Sequence, residues 1–134
     1  MQTNRSTSLL KFALVADAVA SGATGLLMAA GAGVLSGFLV LPEPLMRYAG
    51  LFLLPYAAMV AWAGLRPEIP RGLAGLIGAA NIVWSTGSVA LIALGVIGPN
   101  LLGGLFVTAQ AAVVALFAIL QIVGLRQSAE GQPA

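Results

Sequence analysis

The chain has no cysteine and no histidine. The first absence excludes disulfides, thiolate metal sites and thiol chemistry, and it leaves the redox compartment unreadable. The second removes the commonest metal ligand and general base, and the usual axial ligand of membrane haem proteins. Charge is scarce as well: 7% of 134 residues are charged, against about 25% in an ordinary soluble domain. The six basic residues are scattered at helix ends and form no patch, so the net charge of +2 does not point to nucleic acid.

What fills the chain is apolar: 60% of the residues are hydrophobic. At this length the chain makes one domain, and a small soluble domain leaves too much surface in water to hide that composition. Lipid is the solvent that suits it. The first apolar stretch runs far past the short hydrophobic region of a cleavable leader, and the tail before it, residues 1–8, carries only Arg5 as charge. It therefore reads as a span.

A membrane-crossing helix needs about 20 apolar residues. Four stretches qualify, at about residues 9–33, 45–65, 72–97 and 101–125. Residues 34–41 either continue the first span or lie along the interface. The punctuation is Pro42-Glu43-Pro44, then Arg66 to Arg71 with two prolines, then Gly98-Pro99-Asn100, where prolines remove donors and restrain their neighbours. Connections this short predict an antiparallel up-down bundle of four helices over residues 9–126, with short tails at 1–8 and 127–134. Arg5, Lys11, Arg66, Arg71 and Arg126 fall on one side and Arg47 on the other. That imbalance places both termini in the cytoplasm of a bacterial-type inner membrane.

A weak internal repeat is visible at a shift of 64 positions. It sets Asp17, Ser21, Thr24 and Gly31 against Asn81, Ser85, Ser88 and Gly95, and Gly64-Leu65-Arg66 resembles Gly124-Leu125-Arg126. Both hairpins start on the same side, so this would be a parallel repeat about the membrane normal. Chance agreement between two Ala/Leu/Gly-rich segments remains an alternative.

The polar residues inside the spans are few. Asp17 is the only acid, and it shares a helical face with Ser21 and Thr24. Tyr56 follows Pro55, which should kink the second helix; Asn81 and Trp84 lie in the third; Gln110 and Gln121 lie on one stripe of the fourth. At 1.5 Å per residue, Tyr56, Asn81 and Gln110 fall roughly 15 Å from their span ends, near the middle of a core about 30 Å thick. Asp17 joins them if the repeat holds, while Gln121 lies nearer the cytoplasmic face. An intramembrane acid is usually retained for a reason, so Asp17 reads as the base of a binding site or ion path. The competing reading is interhelical glue, worth about 0.6 kcal/mol per contact on average. The serines read as bonded back to their own helices.

Small residues recur every four positions from Ala13 through Asp17, Ser21, Gly25, Ala29 and Gly33 to Gly37. Such a ridge admits another helix closely, within the chain or from a second copy. Trp62 reads as an interfacial anchor and Glu43 with Arg47 as an i, i+4 pair. No Ser/His pair, second acid, phosphate cradle or metal cluster is present in the pattern, so no enzyme and no cofactor is expected.

Three stretches, residues 17–27 (DAVASGATGLL), 81–88 (NIVWSTGS) and 108–126 (TAQAAVVALFAILQIVGLR), together resemble a group of small four-span inner-membrane proteins of proteobacteria. The resemblance covers most of the chain and implies the fold and location. Its motifs carry no known chemistry, so no catalytic role passes to this chain. Size and span count are also similar to the small multidrug resistance transporters and, more weakly, to the DoxX-like four-span proteins. The former carry a glutamate with aromatic neighbours in the first helix, whereas Asp17 stands among alanines. The leading expectation is a non-enzymatic bundle binding a small apolar or lipid-like molecule, with Asp17, Tyr56, Asn81 and Gln110 as polar contacts and Trp84 as a wall. The alternatives are a dimeric proton-coupled carrier and an accessory subunit of a larger membrane complex.

Overall fold

The computed structural model describes the backbone of residues 2–130 and the side chains of residues 8–128; Arg5 and the side chain of Thr7 lie outside the described side chains. Four helices follow one another: α1 (Gln2–Leu39), α2 (Glu43–Leu65), α3 (Arg71–Ala93) and α4 (Leu101–Glu130). All four are long and apolar enough to cross a membrane, and no strand occurs among the described residues. The chain is a multi-pass integral membrane protein built as a four-helix bundle.

Helix ends depart from the sequence expectation where single residues fix the backbone. α1 runs unbroken through residues 34–39 and begins at Gln2, so it is helical ahead of the apolar stretch. It closes when the Leu41 N–H turns back to Ser36 O at 3.1 Å, with Val40 at φ 53° in the position that glycine usually fills. α3 stops at Ala93 and not near residue 97 because Gly95, at φ +71°, makes the same closure, with the Val96 N–H on Leu91 O at 2.9 Å. Gly31, its partner in the repeat, stays inside α1, so the two halves diverge here. α4 continues to Glu130, past the expected end at 125. Asn100 joins two helix ends: its side chain accepts from the Gly103 N–H and donates to Phe38 O, each at 2.8 Å.

Apolar side chains gain little by leaving lipid for one another, so close backbone approach holds such bundles together. A Cβ on Gly50 would lie 2.5 Å from Ala29 N, and one on Gly124 would lie 2.9 Å from Leu10 N. These contacts run α2 and α4 antiparallel along the two sides of α1. Gly78 of α3 packs on Ile122 of α4. By contrast, α2 and α3 barely meet. A true two-fold repeat would make the α2–α3 seam equivalent to the α1–α4 seam; here one is closed and the other open.

The four-residue ridge of α1 turns inward only over its first part. Ala13, Asp17, Ser21 and Gly25 are buried, whereas Gly33 and Gly37 are exposed with nothing near them. Four residues advance a helix about 40° beyond a full turn, so the ridge winds around α1 and leaves the interior.

Candidate functional site

Asp17, Ser21, Tyr56, Asn81 and Gln121 form one largely buried polar cluster that ties all four helices together. Asp17 of α1 is fully enclosed. Ser21 Oγ donates to its Oδ1 at 2.8 Å, one helical turn away. Three further donors reach Oδ2: Asn81 Nδ2 at 2.8 Å, Gln121 Nε2 at 2.8 Å and the Tyr56 hydroxyl at 3.1 Å. Asn81 Nδ2 also donates to Gln121 Oε1 at 2.9 Å, and the Tyr56 hydroxyl lies 2.7 Å from Asn81 Oδ1. A phenol has one proton, so Tyr56 serves Asn81 or Asp17 but not both at once. No buried polar side-chain atom among the described residues lacks a partner. In hydrocarbon that completeness matters, because nothing else there can satisfy a stranded donor or carboxylate.

The expected polar layer is therefore real, with one member exchanged. Asp17, Tyr56 and Asn81 come together; Gln110 does not join them, and Gln121 takes its place. Depth counted from Leu101 places Gln110 at the midplane only if all spans begin at one level. α4 instead starts opposite the far end of the long α1, where Asn100 N meets Leu39 O at 3.2 Å. Gln110 thus falls about 16 Å short of the cluster, eleven residues before Gln121. The pairing of Gly124 with Leu10 sets Gln121 beside Asp17. The two glutamines share one stripe of α4 in the sequence, and counting depth along it favours Gln110 over Gln121, the opposite of what the bundle does.

Gln110 pairs with Trp84. The indole N–H donates to Gln110 Oε1 at 2.9 Å, and Gln110 Nε2 donates to Val107 O at 2.9 Å. Phe52 of α2 lies between Tyr56 and Trp84, its ring nearly parallel to both, with centroids 6.2 and 6.1 Å away. The three rings stand along the sparsely packed α2–α3 seam.

The serines divide. Ser88 bonds back to Trp84 O at 2.7 Å as expected, Ser21 is taken by Asp17, and Ser85 reaches across to Ala111 O of α4 at 2.7 Å. Trp62 is exposed and carries the Arg66 guanidinium 4.5 Å from its ring. Glu43 and Arg47 form the exposed pair at 2.5 Å.

Around this framework lie three largely apolar cavities. One of about 400 Å³ opens between α2 and α3, beside Phe52, Tyr56, Leu76 and Asn81. A second, of about 340 Å³, sits toward the α3–α4 loop beside Met28, Met46, Leu91 and Phe106. A third, of about 260 Å³, lies beside Thr24, Phe106 and Phe117. Trp84 lines all three, Gln110 lines the second and third, and Asp17 lines none. The polar cluster and the cavities are thus adjacent but distinct: Tyr56 and Asn81 have an edge on the α2–α3 cavity, while the carboxylate stays behind them.

No known protein family, curated protein or solved structure matches this chain. The class that fold and site define is a four-span membrane protein with a self-satisfied polar core and an open lateral seam.

Proposed function

We propose that the protein is a non-enzymatic inner-membrane component that takes a small apolar or lipid-like molecule from the bilayer through the α2–α3 seam and holds it against Trp84. The observation that carries this reading is the seam itself: the hydrocarbon-facing gap between α2 and α3 leads into a cavity of about 400 Å³ bounded by the rings of Phe52, Tyr56 and Trp84. Concave, mainly apolar space with a few fixed polar groups is what such ligands require. Both termini lie on the cytoplasmic side in this reading, on the basic-residue asymmetry.

Asp17 acts here as the anchor of the bundle. The alternative of a proton-coupled carrier for hydrophobic cations needs that carboxylate to meet its cargo, and Asp17 is fully enclosed and lines no cavity. The accessory-subunit alternative draws on Gly33 and Gly37, the part of the small-residue ridge that faces outward; co-purification in mild detergent tests it.

Trp62→Phe leaves Trp84 as the sole tryptophan. Titrating a diacylglycerol with brominated chains into nanodiscs should quench its fluorescence saturably at low mole fraction. Quenching that rises only linearly with bromolipid content, as for bulk lipid contact, would remove the pocket from consideration.

A further inference from the structure

The hydrogen bonds of Gln110 narrow the class of ligand its cavity would take, an inference that rests on the reading of the cavities as binding space. A glutamine amide has two N–H hydrogens and a carbonyl oxygen. The indole of Trp84 holds Oε1 and Val107 O takes one hydrogen, so the side chain is fixed and one N–H has no partner among the described residues. The other side-chain donors of the 340 Å³ cavity are already committed, the Trp84 indole to Gln110 and the Ser88 hydroxyl to Trp84 O. Charge is missing altogether: no Asp, Glu, Lys or Arg lines any of the three cavities. An ion placed there would be buried in hydrocarbon without a counter-ion, which is costly.

We infer that the 340 Å³ cavity beside Trp84 takes a neutral molecule carrying an oxygen acceptor on an apolar body, of the acyl-ester class, and that Gln110, which lines this cavity and not the 400 Å³ one, is the residue that recognises that oxygen. Trp84 acts as its positioning partner, holding the amide in the cavity wall through the indole N–H. A bare hydrocarbon fills the same space but leaves that N–H without a partner. A fatty acid anion or an alkylammonium brings a charge that nothing in the cavity neutralises.

The test compares binding of a long-chain methyl ester, the alkane of equal length and the matching alkyltrimethylammonium to the whole protein in nanodiscs, read by thermal stabilisation. The ester should bind about fivefold more tightly than the alkane, the value of one net hydrogen bond, and the ammonium should give no shift. In Gln110→Leu the ester should fall to the affinity of the alkane. Should that variant fail to fold, the infrared carbonyl stretch of the ester serves instead: it should move to lower wavenumber on binding the unmodified protein. Equal affinities for ester and alkane, a preference that survives in Gln110→Leu, an unshifted carbonyl, or tighter binding of the ammonium would each overturn the assignment while leaving the cavities as binding space. Failure of ester and alkane alike to bind would overturn both.

Discussion

Asp17 and Asn81, 64 positions apart, are bonded to each other at 2.8 Å in the interior of the bundle, the same interval that separates the two halves of the sequence repeat. Each is held by further partners, so the pair is the centre of a network and not an isolated contact. Replacing Asn81 by alanine strands Gln121 Oε1 and withdraws a donor from Asp17, an expected loss of about 1–3 kcal/mol. Asp17→Ala should cost more, since it removes the shared acceptor of four donors and leaves Ser21 Oγ and Gln121 Nε2 without one. The double variant should be less destabilised than the sum of the two, by at least about 0.5 kcal/mol. Unfolding by steric trapping in bicelles measures all three; strict additivity would show that the network does not act as a unit.

The approach of α2 to α1 depends on Gly50. In Gly50→Ala the new methyl would meet the backbone of Ala29 and Gly25, at 2.5 and 2.8 Å, atoms that cannot step aside. We expect a loss of about 2 kcal/mol or more, the upper range for overpacking. Gly37→Ala, with open space around it, should change stability by less than about 0.5 kcal/mol. Comparable effects at both sites would contradict the packing described for α1 and α2.

Tyr56 makes the only side-chain hydrogen bonds from α2 to another helix among the described residues. Tyr56→Phe should therefore loosen α2 from α3 and leave the α1–α4 seam unchanged. The cysteine-free sequence allows clean spin-labelling in pairs, at Met59 with Leu76 and at Phe12 with Val123, all of them exposed. The first pair should give a broader distance distribution in the variant; the second should not.

The two helix closures give opposite outcomes. Val40 adopts a left-handed conformation that is unfavourable for a β-branched residue, so Val40→Gly should stabilise the protein by about 1 kcal/mol. Gly95→Ala forces a side chain into the same conformation and should destabilise it by a similar amount. Chemical denaturation of the two variants decides the matter.

Orientation is open to direct measurement. A cysteine at Glu68 should react with an impermeant thiol reagent only when the cytoplasmic face is accessible, and one at Gly98 only from the opposite face. Reversal of the two would place the termini outside.

Much of this architecture is legible in the residues. Apolar runs of span length, broken by Pro42-Glu43-Pro44 and by the proline-bearing loop from Arg66 to Arg71, specify four helices because lipid demands internally satisfied backbones. Three of the four polar anchors, Asp17, Tyr56 and Asn81, could be found because polar atoms in hydrocarbon must seek one another. Gln121 was not, since its depth depends on the length of α1, which in turn depends on Val40 tolerating a conformation that no propensity rule assigns to valine. Gly95 looked like Gly31 in the alignment of halves, and only its backbone angle separates a helix end from a helix interior. The open α2–α3 seam was equally hidden: the stacking of Phe52, Tyr56 and Trp84 along it exists only in three dimensions.

Because the open seam looks sideways, the ligand proposed for it would never need to cross water. Such an occupant would be drawn from a two-dimensional solution whose solvent is the surrounding leaflet, and it would compete with neighbouring chains that are themselves at very high local concentration. Occupancy would then be governed by mole fraction in the membrane, and a modest preference over ordinary lipid would be enough to fill the cavity when the favoured molecule becomes abundant.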